Sequence, residues 1–380
     1  MKHVTMTAMA AIMALGMTAA AKADIIIGAT VSATGPASYL GDPEAKTLEM
    51  LAEKLNEAGG INGEKVKLVL YDDGGDPNKA RTFATRLIED DEAVVIIGGT
   101  TTGTTMSVIP VAEDAEVPFI SLAGAIEIIN PVRKFVFKTP HTDRMACQKI
   151  FEDMKKKGIA KIGMISGTDG FGASMEAQCK KVVGDYGIEI VADETYGPQD
   201  ADMTPQLTNL RGAAGVQAIL NPGFGQGPSI VTRNYSQLGI ELPLYQSHGV
   251  ASDGFIKLAG AKAAEGVRLP GTALIIADLL KDDDAQKAVV TAYKADFEKK
   301  TNSSVSTFGG YAHDAFNILV DSLKRAGSAE PAAIRDAIEQ TSGLVGTTGV
   351  VTMKADDHLG LDLSAFRMLE IKDGKWTIAE

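Results

Sequence analysis

Ala93-Val-Val-Ile-Ile97 leads straight into Gly98-Gly-Thr-Thr-Thr-Gly-Thr-Thr105, then into a helix-like segment, and then into a second apolar run closing with Val117-Pro-Phe-Ile-Ser-Leu-Ala-Gly-Ala125. A buried strand, a Gly- and Thr-rich turn, a helix and another buried strand make one unit of a parallel α/β sheet. Open sheets of this kind bind ligands outside the carboxyl ends of their strands. The turn sets hydroxyls, small residues and the free N–H groups of a helix N-terminus at that edge, where they favour an anion such as a carboxylate. It holds donors but no base or activated nucleophile, so it reads as a recognition surface and not as a catalytic one. The plainer alternative is that Thr102 or Gly103 merely caps the helix.

The same alternation extends in both directions. Upstream lie a strand from Ile25 to Thr30, the loop Val31-Ser-Ala-Thr-Gly-Pro-Ala-Ser-Tyr39, a helix from about Ala45 to Ala58, a strand from Val66 to Tyr71 and a helix from Pro77 to Glu89. Pro77 at a helix start suits its fixed φ and missing N–H. Downstream the pattern restarts: strands near Phe135, Lys161, Ile188, Val216, Leu242 and Val267 are separated by helical stretches, with the loop Pro222-Gly-Phe-Gly-Gln-Gly-Pro228 among them. Two long helical stretches follow, Asp284 to Lys300 and Thr307 to Ala326, and then an antiparallel-looking tail, Val350 to Met353 and Phe366 to Lys372. The expected architecture is α/β, with two doubly wound, mainly parallel sheets forming lobes on either side of a cleft.

Met1-Lys2-His3, the apolar stretch Val4 to Ala20 and Ala21-Lys-Ala23 have the order of a cleavable secretory signal peptide. An uncleaved anchor is the alternative, but the stretch is short for a bilayer span and broken by Thr and Gly. The expected location is the periplasm, without a lipid anchor because no Cys follows the cut. At 380 residues, 45% hydrophobic and 23% charged, the chain is long enough for two domains with sizeable cores. A net charge of −12 argues against a nucleic-acid partner. Cys147 and Cys179 are the two cysteines; in an oxidising compartment they could pair, but spacing alone leaves this open, and they lack the partners of a zinc site. No cofactor or metal is expected.

Taken in order, several motifs resemble one family: Ile27-Gly-Ala-Thr-Val-Ser-Ala-Thr-Gly-Pro-Ala37, Ile61-Asn-Gly63, Asp72-Asp73 with Asp76-Pro77, Ile97-Gly-Gly99 with its Thr cluster, Pro118-Phe-Ile-Ser121 and Gly170-Phe-Gly172. Together they are similar to the periplasmic binding proteins of ABC transporters that take up leucine, isoleucine and valine. The resemblance implies a two-lobed molecule with three hinge crossings, a monomer that closes around a small solute and delivers it to a membrane permease. It also implies a division of the chain into 1–23 as signal peptide, 24–139 plus 272–345 as the first lobe, and 140–271 plus 346–380 as the second.

Carried over position by position, the resemblance puts the carboxylate-binding region on Thr100, Thr101, Thr102, Ser121 and Ala123. It puts aromatic walls on Phe171 and Phe224, with Tyr39 closing the cleft. The family's partners for an α-ammonium fall on Ala125 and His248, which would leave that charge poorly paired, and an unpaired buried charge costs several kcal/mol. The expected solute is therefore a small carboxylate without an α-ammonium, an aromatic or keto acid, with His248 facing its far oxygen. Asp253 could replace the missing acid, which keeps an amino-acid ligand as the alternative; plain core packing for each Phe and a structurally bonded His248 are the non-functional readings.

Enzyme classes find little support. Gly223-Phe-Gly-Gln-Gly-Pro228 begins like a dinucleotide loop but has Pro228 where the third Gly belongs. Walker A, G-x-S-x-G and H-E-x-x-H patterns are absent from the sequence. Asp72 and Asp73 point apart as neighbours in a turn and are expected to stabilise the lobe or to be solvated. A freestanding sensory ligand-binding protein is the remaining alternative from another class.

Overall fold

The first sheet is built from short apolar runs that can be buried on both faces: β1 (Ile25–Val31), β2 (Val66–Asp72), β3 (Val95–Gly98), β4 (Phe119–Ser121) and β5 (Val136–Lys138). The structure, a computed structural model, describes residues 24–379; the expected signal peptide, 1–23, lies outside the described residues. The five strands are parallel, in the order β2-β1-β3-β4-β5. Ile27, Val95, Ile97, Phe119 and Ile120 are fully buried, as the continuous hydrophobic runs of a two-sided parallel sheet require. Each such side chain stabilises the fold by about 1.5–3 kcal/mol relative to exposure. Helices α1 (Ser38–Glu57), α2 (Pro77–Glu89) and α3 (Thr102–Asp114) return the chain between its strands.

The second sheet contains β6 (Lys161–Gly167), β7 (Glu189–Tyr196), β8 (Ala218–Asn221), β9 (Leu244–Gln246) and β10 (Arg268–Gly271), in the order β7-β6-β8-β9-β10 and all parallel. Its covering helices include α4 (Asp143–Lys156), α5 (Gly170–Val182), α6 (Thr204–Gly212), α7 (Gln226–Gln237), α8 (Asp253–Ala259) and α9 (Ala261–Ala264). The chain continues through α10 (Lys287–Thr301), α11 (Thr307–Ala326), α12 (Pro331–Glu339) and a small antiparallel pair, β11 (Leu344–Val345) with β12 (Val350–Val351). It ends in β13 (Arg367–Lys372) and β14 (Lys375–Ile378), which extend the second sheet in antiparallel fashion beside β10. Two lobes of α/β build therefore face each other, as expected.

Several boundaries differ from the sequence-based expectation. Helix α1 begins at Ser38 and not near Ala45, because Leu40, Gly41, Pro43 and Glu44 are buried in the lobe; that packing outweighs the one backbone hydrogen bond Pro43 removes. The tail strands do not pair with one another across 350–372: Val350 and Val351 pair with β11, while β13 joins the second sheet. Val351, Met353 and Leu361 pack with the first-sheet core, whereas Phe366 packs with the second. The strap carrying Val351 and Met353 thus has its apolar side chains in the first lobe's core, whereas Phe366 lies in the second's.

Cys147 on α4 and Cys179 on α5 form a disulfide, fastening two helices on one face of the second sheet. Asp73 is fully buried at the end of β2, where it accepts hydrogen bonds from Thr30 Oγ1 (3.0 Å), Ser32 Oγ (2.6 Å) and the Gly75 N–H (2.8 Å). Asp72 accepts from the N–H groups of Thr34 (3.1 Å) and Gly74 (3.0 Å). The acidic turn is therefore a clasp within the first lobe.

Candidate solute-binding cleft

The carboxyl ends of both sheets wall one cleft. The first lobe supplies Thr100, Thr101 and Thr102 after β3, and Leu122 and Gly124 after β4; the second supplies Phe171 after β6, Phe224 after β8 and His248 after β9. Leu40 from α1 and Phe308 and Tyr311 from α11 add apolar wall. The cleft holds about 360 Å³ of atom-free space, part of it open to solvent, the scale of a small-molecule site.

The three threonines divide their work. Thr100 Oγ1 donates to Glu44 Oε2 (2.5 Å) and accepts from the Ser32 N–H (2.9 Å). Thr101 is the N-cap of α3: it accepts from the Thr104 N–H (3.1 Å), and its own N–H donates to Thr104 Oγ1 (3.1 Å), a reciprocal capping box. The cap is thus Thr101 and neither Thr102 nor Gly103. The Thr102 hydroxyl is buried without a partner, as are His248 Nδ1 and the Tyr311 hydroxyl, and all three residues line the cleft. A buried polar atom left unsatisfied costs about 1–3 kcal/mol, which a ligand oxygen placed among them would offset.

The local field favours negative charge. A Cβ added to Gly170 at the start of α5 would lie 3.6 Å from the Gly103 nitrogen and Thr102 Cγ2 at the start of α3, so two helix N-termini, one from each lobe, converge on the cleft. Asp169 caps α5 by accepting from the N–H groups of Phe171 (2.9 Å) and Gly172 (3.0 Å). Among the described residues, no acidic side chain lines the cavity. Glu44 lies behind Thr100, and burial pushes its carboxyl well above the usual range, with the Thr100 hydrogen bond opposing. Burial, reinforced by nearby Lys138, lowers His248 to about 3, so its ring is neutral at physiological pH.

An aromatic series runs through the second-lobe wall: Phe224 meets Phe171 edge-on at 6.2 Å, Phe171 meets His248 at 5.4 Å, and His248 meets Phe366 at 5.3 Å. Across the cleft, the Gly225 N–H donates to the Tyr39 hydroxyl, a clasp between α1 and the loop after β8. Gly124 has no room for a side chain, since a Cβ would stand 2.7 Å from Phe171 Cε2 and 3.1 Å from His248 Nε2.

Two α/β lobes and a preformed cleft between strand ends agree with what comparison finds, namely a match to the periplasmic binding protein family over residues 24–375. The chain belongs to the periplasmic binding protein family. A leucine-, isoleucine-, valine-, threonine- and alanine-binding protein of Pseudomonas aeruginosa is 28% identical over 80% of this chain and 79% of its own. An extracellular ligand-binding receptor of Rhodopseudomonas palustris HaA2 is 32% identical with a TM-score of 0.87, covering 94% of this chain and all of the other. An ABC transporter solute-binding protein of R. palustris solved with benzoate shares the fold at 22% identity and a TM-score of 0.80, with 93% and 95% coverage. The family is one of periplasmic solute-binding proteins and not of enzymes.

Of the residues expected at the site, Thr100, Thr101, Thr102, Phe171, Phe224 and His248 line this one cleft. Ser121 and Ala123 do not line it. They alternate with Leu122 and Gly124 along an extended segment, so they face the other way; Ser121 Oγ instead bonds Thr105 Oγ1 (2.9 Å) and accepts from the Ala123 N–H (3.1 Å). Tyr39 spans the lobes without lining the cavity. Asp253 is exposed at the start of α8, so it supplies no acid to the cleft. Leu40, Leu122, Gly124, Phe308 and Tyr311 were not visible from the sequence; Phe308 and Tyr311 read there only as part of a long helical stretch. The Gly-rich loop after β8 is explained by packing: a Cβ on Gly223 or Gly227 would meet the Tyr196 ring or hydroxyl at 2.2–2.3 Å.

Proposed function

We propose that this protein captures a small carboxylate with an apolar, aromatic or keto-acid body and no α-ammonium, and delivers it as a monomer to the permease of an ABC importer. The observation that carries this reading is the chemistry of the lining: three buried polar atoms without partners, on Thr102, Tyr311 and His248, set in an apolar and aromatic wall free of acidic side chains. The Thr102 hydroxyl and the first N–H groups of α3 receive the carboxylate. Phe171, Phe224 and Phe308 flank the body, and neutral His248 meets a distal oxygen. An ammonium placed in the same space would find neither Glu44, which lies behind Thr100 with its oxygen held by the Thr100 hydroxyl, nor Asp253, which is exposed on α8.

An amino-acid ligand is the second reading, favoured by the binding named for the 28%-identical relative. A thermal-shift screen of the mature protein against leucine, benzoate, phenylpyruvate and dicarboxylates separates them. A true solute at about 100 times its Kd stabilises the fold by about 2.7 kcal/mol. Shifts with benzoate or the keto acid but not with leucine support the first reading; a shift with leucine alone supports the second. No shift with any small carboxylate overturns both.

A further inference from the structure

Beside the cleft, a single serine lies between two carboxyl groups. Ser174 on α5 has its Oγ 2.5 Å from Glu127 Oε2, in the turn after β4, and also hydrogen-bonded to Asp143 Oδ2 at the start of α4. A hydroxyl carries one hydrogen. It can donate to one carboxylate, so the other contact is made by a protonated carboxyl donating to Oγ.

We infer that these three residues form a proton-operated latch: Glu127 of the first lobe and Asp143 and Ser174 of the second hold one shared proton when the lobes are closed, so that acid favours closure. The remaining contacts also cross between lobes. Gln178 Nε2 donates to Glu127 Oε1 (3.1 Å), the Ile126 N–H donates to Asp143 Oδ1 (3.1 Å), and the Asp143 N–H donates to the Gly124 carbonyl (3.0 Å). Gly124 itself lines the cleft, so the latch is joined to the solute site by one peptide segment. When the lobes part, Glu127 leaves Ser174 and Gln178 and returns to water, and Asp143 stays beside Ser174 but loses the Ile126 N–H.

The charged neighbours set the sign. Lys138 on β5 faces the pair, donating to the carbonyls of Gly124 (2.9 Å) and Ala125 (3.3 Å); burial lowers its ammonium to about 7 against the pull of Asp143 and Glu127, so its charge offsets one carboxylate at most and fades toward pH 7.5. Arg144 is engaged with Gln178 Oε1 (2.8 Å). His141 and His248, next to Lys138, are kept neutral by burial. Burial raises Asp143 to about 6, against the pull of Ser174 and Lys138 and with Glu127 adding to the rise. A carboxyl raised in the closed form favours closure most below its ordinary range near 3.8 and loses that effect as pH climbs through 6.

The latch acts on the closure proposed above but is read without any solute, so its failure leaves the thermal-shift result standing. The Ile126 and Asp143 amides report it directly through hydrogen exchange of the ligand-free protein, corrected for intrinsic rates. Their protection should be about tenfold greater at pH 5.0 than at pH 7.5. In Glu127→Gln, where no proton needs to be shared with Asp143, the ratio should fall to about one, and Ser174→Ala should show the same loss should the first variant fold poorly. Wild-type protection that is equal at the two pH values, or variants that keep the tenfold ratio, would overturn the proposal.

Discussion

Thr102, Tyr311 and His248 owe their proposed role to unfinished hydrogen bonding, and His248 also to its charge state. His248→Glu replaces a neutral ring by an acid facing the bound solute. Benzoate or a keto acid should then bind more weakly by about 1.5–3 kcal/mol, while leucine, whose ammonium gains a partner, should bind more tightly. Thr102→Ala removes a donor to the carboxylate that both classes share and should weaken both by about 0.5–1.5 kcal/mol. Calorimetric titration of wild type and the two variants checks this; leucine binding that tightens in the Glu variant, with no aromatic-acid binding in any protein, would refute the preferred ligand class. Thr102 was legible in the sequence because it follows a strand end closely, whereas Phe171, Phe224 and His248 came only from the resemblance to the family, position by position. The diversion of Thr100 and Thr101 was not legible. Thr100 is engaged by Glu44 and Ser32, 56 and 68 residues away, and side-chain pairing over such separations leaves no local signal.

Among the elements, α4 and α5 show what spacing leaves open. Both have helical patterns and each carries one cysteine, but only their parallel placement on one face of the second sheet brings Cys147 and Cys179 into bonding range. The bridge closes a loop of 32 residues, which a chain-entropy argument values at about 3–4 kcal/mol. The Cys147→Ala/Cys179→Ala protein should lose about that much stability in urea melts, with solute affinity little changed because neither residue lines the cleft. A loss under about 1 kcal/mol would show that the surrounding apolar packing, which includes Ile150, Phe151 and Met175, already restrains the denatured chain or relaxes around the gap. Helix α1 makes a related point: a proline six residues into the helix reads as a break, yet burial of Leu40 and its neighbours carries the helix through it.

For the whole molecule, the decisive feature is how closely the lobes approach. Gly124 on one side meets Phe171 and His248 on the other with no space for a methyl group. Gly124→Ala should therefore leave each lobe folded while holding the lobes apart: melting of the ligand-free protein should shift by less than about 1 kcal/mol, solute affinity should fall at least tenfold, and small-angle scattering with ligand should keep the open profile. Wild-type affinity in this variant would mean that the cleft need not close to this degree. The Tyr39 clasp to Gly225 and the contact of the α3 and α5 N-termini belong to the same closed arrangement.

From the sequence alone came the α/β class, the two-lobed plan and the strand ends that bear the candidate site. These are properties of hydrophobic period, turn chemistry and residue type, all written within a few residues of where they act. Tertiary structure alone decided which hydroxyls remain free, that Leu122 and Gly124 face the cleft in place of Ser121 and Ala123, that Asp253 stands apart, and that Val351 and Met353 pack with the first lobe. Each depends on contacts between segments distant in the chain, where burial of apolar surface and satisfaction of backbone groups outweigh local preference.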